Sequence, residues 1–93
     1  FIYAPHIDAK IPLWEQQLAA GAAAMNLLHA THATGFHPGW LTPWPVYDDN
    51  ARALLCNSDN EQIAGFIYIG TPTANLVERP RPDPADIIES WTA

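Results

Sequence analysis

Apolar positions along the chain change rhythm, and each rhythm predicts a different element. Trp14, Leu18, Gly21, Met25, Leu28 and His32 recur at alternating spacings of four and three, which is one face of a helix. Ala19, Ala20, Ala22, Ala23 and Ala24 make the other faces small and apolar too, so a helix over 14–34 reads as buried nearly all round. Pro12 suits the first turn, where its missing N–H costs nothing. Glu15 suits the positive end of the dipole. Gly35 is the expected left-handed C-terminal cap.

Elsewhere the rhythm shortens. Phe1-Ile2-Tyr3-Ala4 reads as a strand. Ile63-Ala64-Gly65-Phe66-Ile67-Tyr68-Ile69 does not alternate polar with apolar, so it reads as a central strand buried on both faces. Gly39 to Thr42 fits a short strand that Pro43 and Pro45 stop. Asp48 or Asp49 can cap a short helix over 51–56, with Asn57 as its end. Residues 73–93 form an extended arm. Its stretch Glu78-Arg79-Pro80-Arg81-Pro82-Asp83-Pro84 is polyproline-like, and its end, Ile87, Ile88 and Trp91, suits either packing on a partner or a solvated tail.

A chain of 93 residues makes one small domain at most, with too little material to cover a two-faced helix of this length. The missing cover is expected from another segment or another subunit. The apolar run at Phe1, which has no preceding Met, reads as a beginning inside a fold. The fold class expected is α+β, a long buried helix packed on a mixed or antiparallel sheet that includes 1–4 and 63–69.

Charge narrows the partners. Ten acidic and four basic residues give a net charge of −6, which disfavours nucleic acid and anionic membranes. Lys10, Arg52, Arg79 and Arg81 are the only lysines and arginines that could meet a phosphate, so a phosphate here needs backbone N–H groups as well. The lone Cys56 cannot form an intrachain disulfide, which fits a reducing cytoplasm. The longest apolar stretch, 18–25, falls far short of the roughly 20 residues of a bilayer span.

Most familiar chemistries find no support. His29 and His32 have a helical spacing that zinc sites use, and His37 comes soon after, but no Cys or carboxylate joins them, and surface or core histidines are the plainer reading. Cys56 has no nearby cation or helix N-terminus to activate it. Asp48-Asp49 reads as a cap and a solvated neighbour. Dinucleotide and P-loop glycine patterns are absent.

The loop after the long helix remains. A helix begins Trp14-Glu15-Gln16 and ends at Gly35; the next residues are Phe36-His37-Pro38-Gly39-Trp40-Leu41-Thr42; a strand then ends in Gly70-Thr71-Pro72. In that order these features resemble the C-terminal half of the nitroreductase family, over nearly the whole chain. The resemblance implies a partial nitroreductase-like domain over 1–93, and an FMN-dependent oxidoreductase that takes hydride from NAD(P)H and reduces nitroaromatics, quinones or similar acceptors. It implies a homodimer with FMN between subunits, or a complementary N-terminal segment, and a small-molecule electron acceptor. By position, Ala30, Thr31, His32, Ala33, Thr34 and Gly35 match the nicotinamide segment. Trp40, Leu41 and Thr42 match the FMN segment, with Arg79 or Arg81 as a further phosphate contact. Gly35 and Gly39 would let backbone approach a ligand, Thr42 offers a hydroxyl and an N–H, and Trp40 offers a flat wall with one polar N–H. The chain departs from the family at Pro43, where Gly is common, and lacks the family's Arg-rich flavin-gripping segment. No acid–base residue is implied. Without the resemblance, Gly39-Trp40-Leu41-Thr42 reads more readily as a plain helix-to-strand turn with Trp40 as a core aromatic than as a binding loop. A non-enzymatic interaction module that kept part of the fold without flavin is the alternative function.

Overall fold

The computed structural model describes residues 1–92. Its elements are β1 (Ile2–Tyr3), α1 (Leu13–Ala33), β2 (His37–Leu41), a single 3₁₀ turn (Trp44–Val46), α2 (Asp49–Leu55), β3 (Gln62–Ile63), β4 (Phe66–Gly70) and α3 (Pro84–Ile87). The α+β class is as expected.

α1 has the extent its periodicity predicts, and both of its ends are built by local chemistry. Before its N-terminus, the Gln16 side chain acts as a substitute peptide group. Its Oε1 accepts from the His6 N–H at 2.7 Å, and its Nε2 donates to the carbonyls of His6 at 3.0 Å and Ile11 at 2.8 Å. The connection 4–12 is thereby folded back onto the helix. At the C-terminus Gly35 adopts φ +88°. Its N–H donates to the His32 carbonyl at 3.0 Å, and the Phe36 N–H donates to the Thr31 carbonyl at 3.2 Å. This is the Schellman pairing that a left-handed glycine permits. It turns the chain directly into β2.

β2 runs antiparallel to β4, with His37 opposite Gly70, Gly39 opposite Tyr68 and Leu41 opposite Phe66. β1 pairs antiparallel with β3, Ile2 opposite Ile63. These are two separate two-stranded sheets. The expected single strand over 63–69 is therefore broken in two, and it is not buried on both faces: Tyr68 and Ile69 are exposed. The break falls at Ala64-Gly65, where Gly65 has φ +148°, a conformation that no continuous strand can hold.

The expectation of a helix buried all round is also corrected. α1 packs on β2; its less exposed positions Ala20, Gly21, Ala24, Leu28 and Thr31 share one face, and Ala24 and Thr31 are buried. Trp14, Leu18 and Met25, roughly a quarter turn around the helix at 100° per residue, are exposed. A two-stranded sheet covers one strip of a helix and no more. Ala24, Ile63 and Pro5 are the only buried apolar side chains among the described residues. The radius of gyration is 17.0 Å, against about 13 Å for a compact domain of 100 residues. Much of the excess is the arm: every residue from 71 to 92 is exposed. Within it, Asp83 caps the short α3 by accepting from the Ala85 N–H.

α2 is capped as its sequence predicts. Asp48 Oδ1 accepts from the Ala51 N–H at 2.8 Å, a bond worth about 1 kcal/mol. The helix runs Asp49–Leu55 rather than 51–56, with Cys56 as its C-cap before Asn57.

Candidate functional site

The two candidate segments lie at opposite ends of β2. The first, 30–35, is the last turn of α1 and its cap. The second, 40–42, is the end of β2 and the residue beyond it. The strand rise separates Gly35 from Thr42 by about 20 Å. A compact ligand cannot touch both; a ligand that met both would have to be elongated.

In the first segment the cap uses much of the polar capacity. The Thr31 carbonyl accepts from the Thr34 hydroxyl at 2.8 Å and from the N–H groups of Thr34 and Phe36, each at 3.2 Å. Thr31 is buried, while Ala30, His32, Ala33, Thr34 and Gly35 are exposed. A Cβ built at Gly35 would meet nothing within 4 Å, so the turn presents open backbone. His32 stands edge-on to His37, with ring centroids 5.6 Å apart. His37 Nδ1 is buried without a hydrogen-bond partner. Among the described residues no three His, Cys, Asp or Glu side chains gather to hold a metal.

In the second segment Trp40 does not present its polar edge to a ligand. Its Nε1–H donates to the Ala64 carbonyl at 3.1 Å, and the ring lies over Gly65 and beside Gly21. Trp40 is half-buried, and one face of its ring is packed within the chain. Leu41 and Thr42 are exposed, and neither the hydroxyl nor the N–H of Thr42 has a partner among the described residues. That donor pair suits a phosphate oxygen. Pro43 supplies no third N–H. Arg81 is held at 3.0 Å by Glu78, both well exposed; Arg79 is exposed on the same arm. The Arg81 guanidinium thus bonds within the arm and not to Thr42. The residues thus suit one edge of a flavin phosphate site and do not enclose one.

Two surface hollows lie elsewhere. One, about 290 Å³, is lined by residues of 46–52 with Gln62 and Ile63; another, about 230 Å³, is lined by α2 and Cys56-Asn57-Ser58-Asp59. Neither touches 30–35 or 40–42. Gly65 is the residue that sequence reasoning passes over. Its signal is present: an isolated Gly inside an apolar strand run marks a break or a close backbone approach.

A helix capped by glycine and laid on an antiparallel pair of strands, β2 and β4, defines a small α+β unit whose open edges are the helix flank and the end of β2. No family model matches the chain. Among curated proteins it is 37% identical to "Putative NAD(P)H nitroreductase YdjA" of Escherichia coli K12, over 81% of this chain and 43% of that protein. The same figures hold for the protein of that name in Escherichia coli O157:H7. It is 33% identical to "Putative NAD(P)H nitroreductase" of Haemophilus influenzae, over 68% of this chain and 34% of that protein. The chain is homologous to these proteins over most of its own length, in keeping with the resemblance of its sequence features, and spans less than half the length of the relatives it matches.

Proposed function

We propose that the chain is part of an FMN-dependent oxidoreductase that takes hydride from NAD(P)H and reduces a nitroaromatic, quinone or similar small acceptor. The similarity to nitroreductases over 81% of the chain carries this reading. In such an enzyme the flavin supplies the redox chemistry, and the protein supplies binding and orientation. Thr42 would offer its free hydroxyl and N–H to the flavin phosphate. The open turn at Gly35 would admit the nicotinamide cofactor close to backbone. The exposed row Trp14, Leu18 and Met25 would be covered by a second copy in a homodimer, or by a complementary N-terminal segment. A reducing cytoplasm suits the free Cys56. No helix is long and apolar enough to cross a membrane among the described residues.

One observation favours the other reading, a non-catalytic interaction module: the Trp40 N–H is engaged within the chain, by the Ala64 carbonyl. Flavin content separates the two. The intact protein should purify yellow or quench FMN fluorescence on titration, and should oxidise NADH or NADPH when an acceptor is added. The isolated 93-residue chain should bind FMN weakly or not at all. An intact protein that neither carries nor takes up FMN overturns the oxidoreductase reading.

A further inference from the structure

We propose that Gly65 is a positioning residue for the segment Trp40–Thr42. Its missing Cβ is the space in which the Trp40 indole sits, and that seat fixes where Leu41 and Thr42 stand. The inference rests on the reading of 40–42 as a flavin-phosphate segment.

The geometry is restrictive. A Cβ at Gly65 would overlap Trp40 Nε1, and would stand 2.7 Å from Trp40 Cδ1 and 3.0 Å from the Leu41 carbonyl oxygen. Two of these atoms belong to a rigid ring and the third to backbone, so none is the yielding end of a flexible side chain. The ring has limited room to retreat, because its far edge faces α1: a Cβ at Gly21 would lie 4.0 Å from Trp40 Cη2. The indole thus lies between two glycines, tightly against Gly65 on the β3–β4 link and loosely against Gly21 on α1. The 3.1 Å bond from Nε1 to the Ala64 carbonyl sets its rotation. The φ of +148° at Gly65 disfavours any L side chain even before the clash.

The seat matters beyond packing because it anchors the exit of the strand. β2 ends at Leu41. Thr42 has no hydrogen bond of its own to hold it, and Pro43 and Pro45 stiffen the chain immediately after. A shift at Trp40 and the Leu41 carbonyl is therefore passed on to the Thr42 hydroxyl and N–H rather than absorbed.

The test is FMN affinity of the intact protein, measured by quenching of flavin fluorescence well below the melting temperature. Four proteins are compared: wild type, Gly65→Ala, Trp40→Leu and the double variant, with urea denaturation in parallel. Gly65→Ala should weaken FMN binding roughly tenfold, the order expected when a small misplacement disturbs part of a site. Trp40→Leu should do the same. The double variant should bind no more weakly than Trp40→Leu alone, because both changes remove one seat. Its stability should still fall below that of Trp40→Leu, because the backbone strain at 65 persists. A folded Gly65→Ala protein with unchanged FMN affinity overturns the proposal, as do losses that multiply in the double variant. If Gly65→Ala does not fold, Trp40→Phe takes its place, keeping a ring without the N–H donor. Unchanged affinity in both Trp40 variants then overturns the proposal. A wild type that binds no FMN overturns the functional reading itself, and the positioning role with it.

Discussion

The two apolar faces of α1 are made of different residues and meet different fates. The face toward β2 is built from Ala20, Gly21, Ala24, Leu28 and Thr31, and it holds the buried Ala24 and Thr31. The neighbouring face carries Trp14, Leu18 and Met25, which are 61%, 60% and 46% exposed. Hydrophobicity alone would bury the second face first, since large side chains gain more from leaving water. Its own sheet buries the first face instead. The reason is steric: β2 brings Trp40 against the helix, and an indole edge needs a helix surface with no side chains in its way. Small residues there let the backbones approach, and the large residues are left for a different neighbour.

The comparison breaks most sharply at residues 24 and 25, adjacent in sequence and on opposite sides of this division. Ala24→Asp places a carboxylate where the structure leaves no exposure at all and no partner. It should cost at least about 3 kcal/mol, the scale of an unpaired buried polar or charged group, and urea denaturation of the isolated chain should show loss of the cooperative transition. Met25→Asp in the same chain should cost less than about 1 kcal/mol. Equal losses at the two positions would mean that α1 does not seat on β2 by its small face.

The sequence makes the ends of elements legible more than their faces. The cap at Gly35 and the cap at Asp48 each depend on a few neighbouring residues, and both are where the pattern puts them. The length of α1 is set by continuous apolar periodicity between Pro12 and Gly35, and it too is readable. Which face of α1 meets its own sheet is not, because Leu18 and Ala24 are both apolar and only the shape of Trp40 chooses between them. The continuous strand expected over 63–69 fails for a related reason. Its apolar run is real, but the backbone breaks at Ala64-Gly65 to make room for an indole 24 residues away. At the candidate site, the exposed turn at Gly35 and the free donors of Thr42 can be read from local pattern. The commitment of the Trp40 N–H to Ala64 is a long-range pairing that no local pattern encodes.

Gly21 sharpens the comparison in the opposite direction. It lies mid-helix on the packed face, and a Cβ there would make an ordinary 4.0 Å contact with the Trp40 ring. Glycine inside a helix costs about 0.8–1 kcal/mol relative to alanine. Gly21→Ala should therefore stabilise the protein by roughly 0.5–1 kcal/mol, seen as a higher denaturation midpoint with an unchanged slope. A loss of stability would show that the indole sits closer to α1 than the packed face allows.

The smallest effect on folding belongs to the exposed row, and it is the one that asks what covers that row. Leu18 is 60% exposed in this chain, so Leu18→Ser removes little buried surface. In the isolated 93-residue chain it should change stability by less than about 0.5 kcal/mol, mostly through helix propensity. Its effect on association should be larger in proportion, because Leu18 lies at the middle of the apolar row from Trp14 to Met25, and contiguous exposed apolar surface drives chains together. Sedimentation velocity across a concentration series should show the parent chain associating and Leu18→Ser associating less. In the intact protein the same change becomes a test of cover. Where a second copy or a complementary segment lies on the row, Leu18→Ser should cost about 2 kcal/mol or more, as is typical of a buried large-to-small change. A cost that stays below about 0.5 kcal/mol in both proteins would mean that the large-residue face is solvent-facing in the finished molecule, and that the contrast between the two faces of α1 is one of composition only.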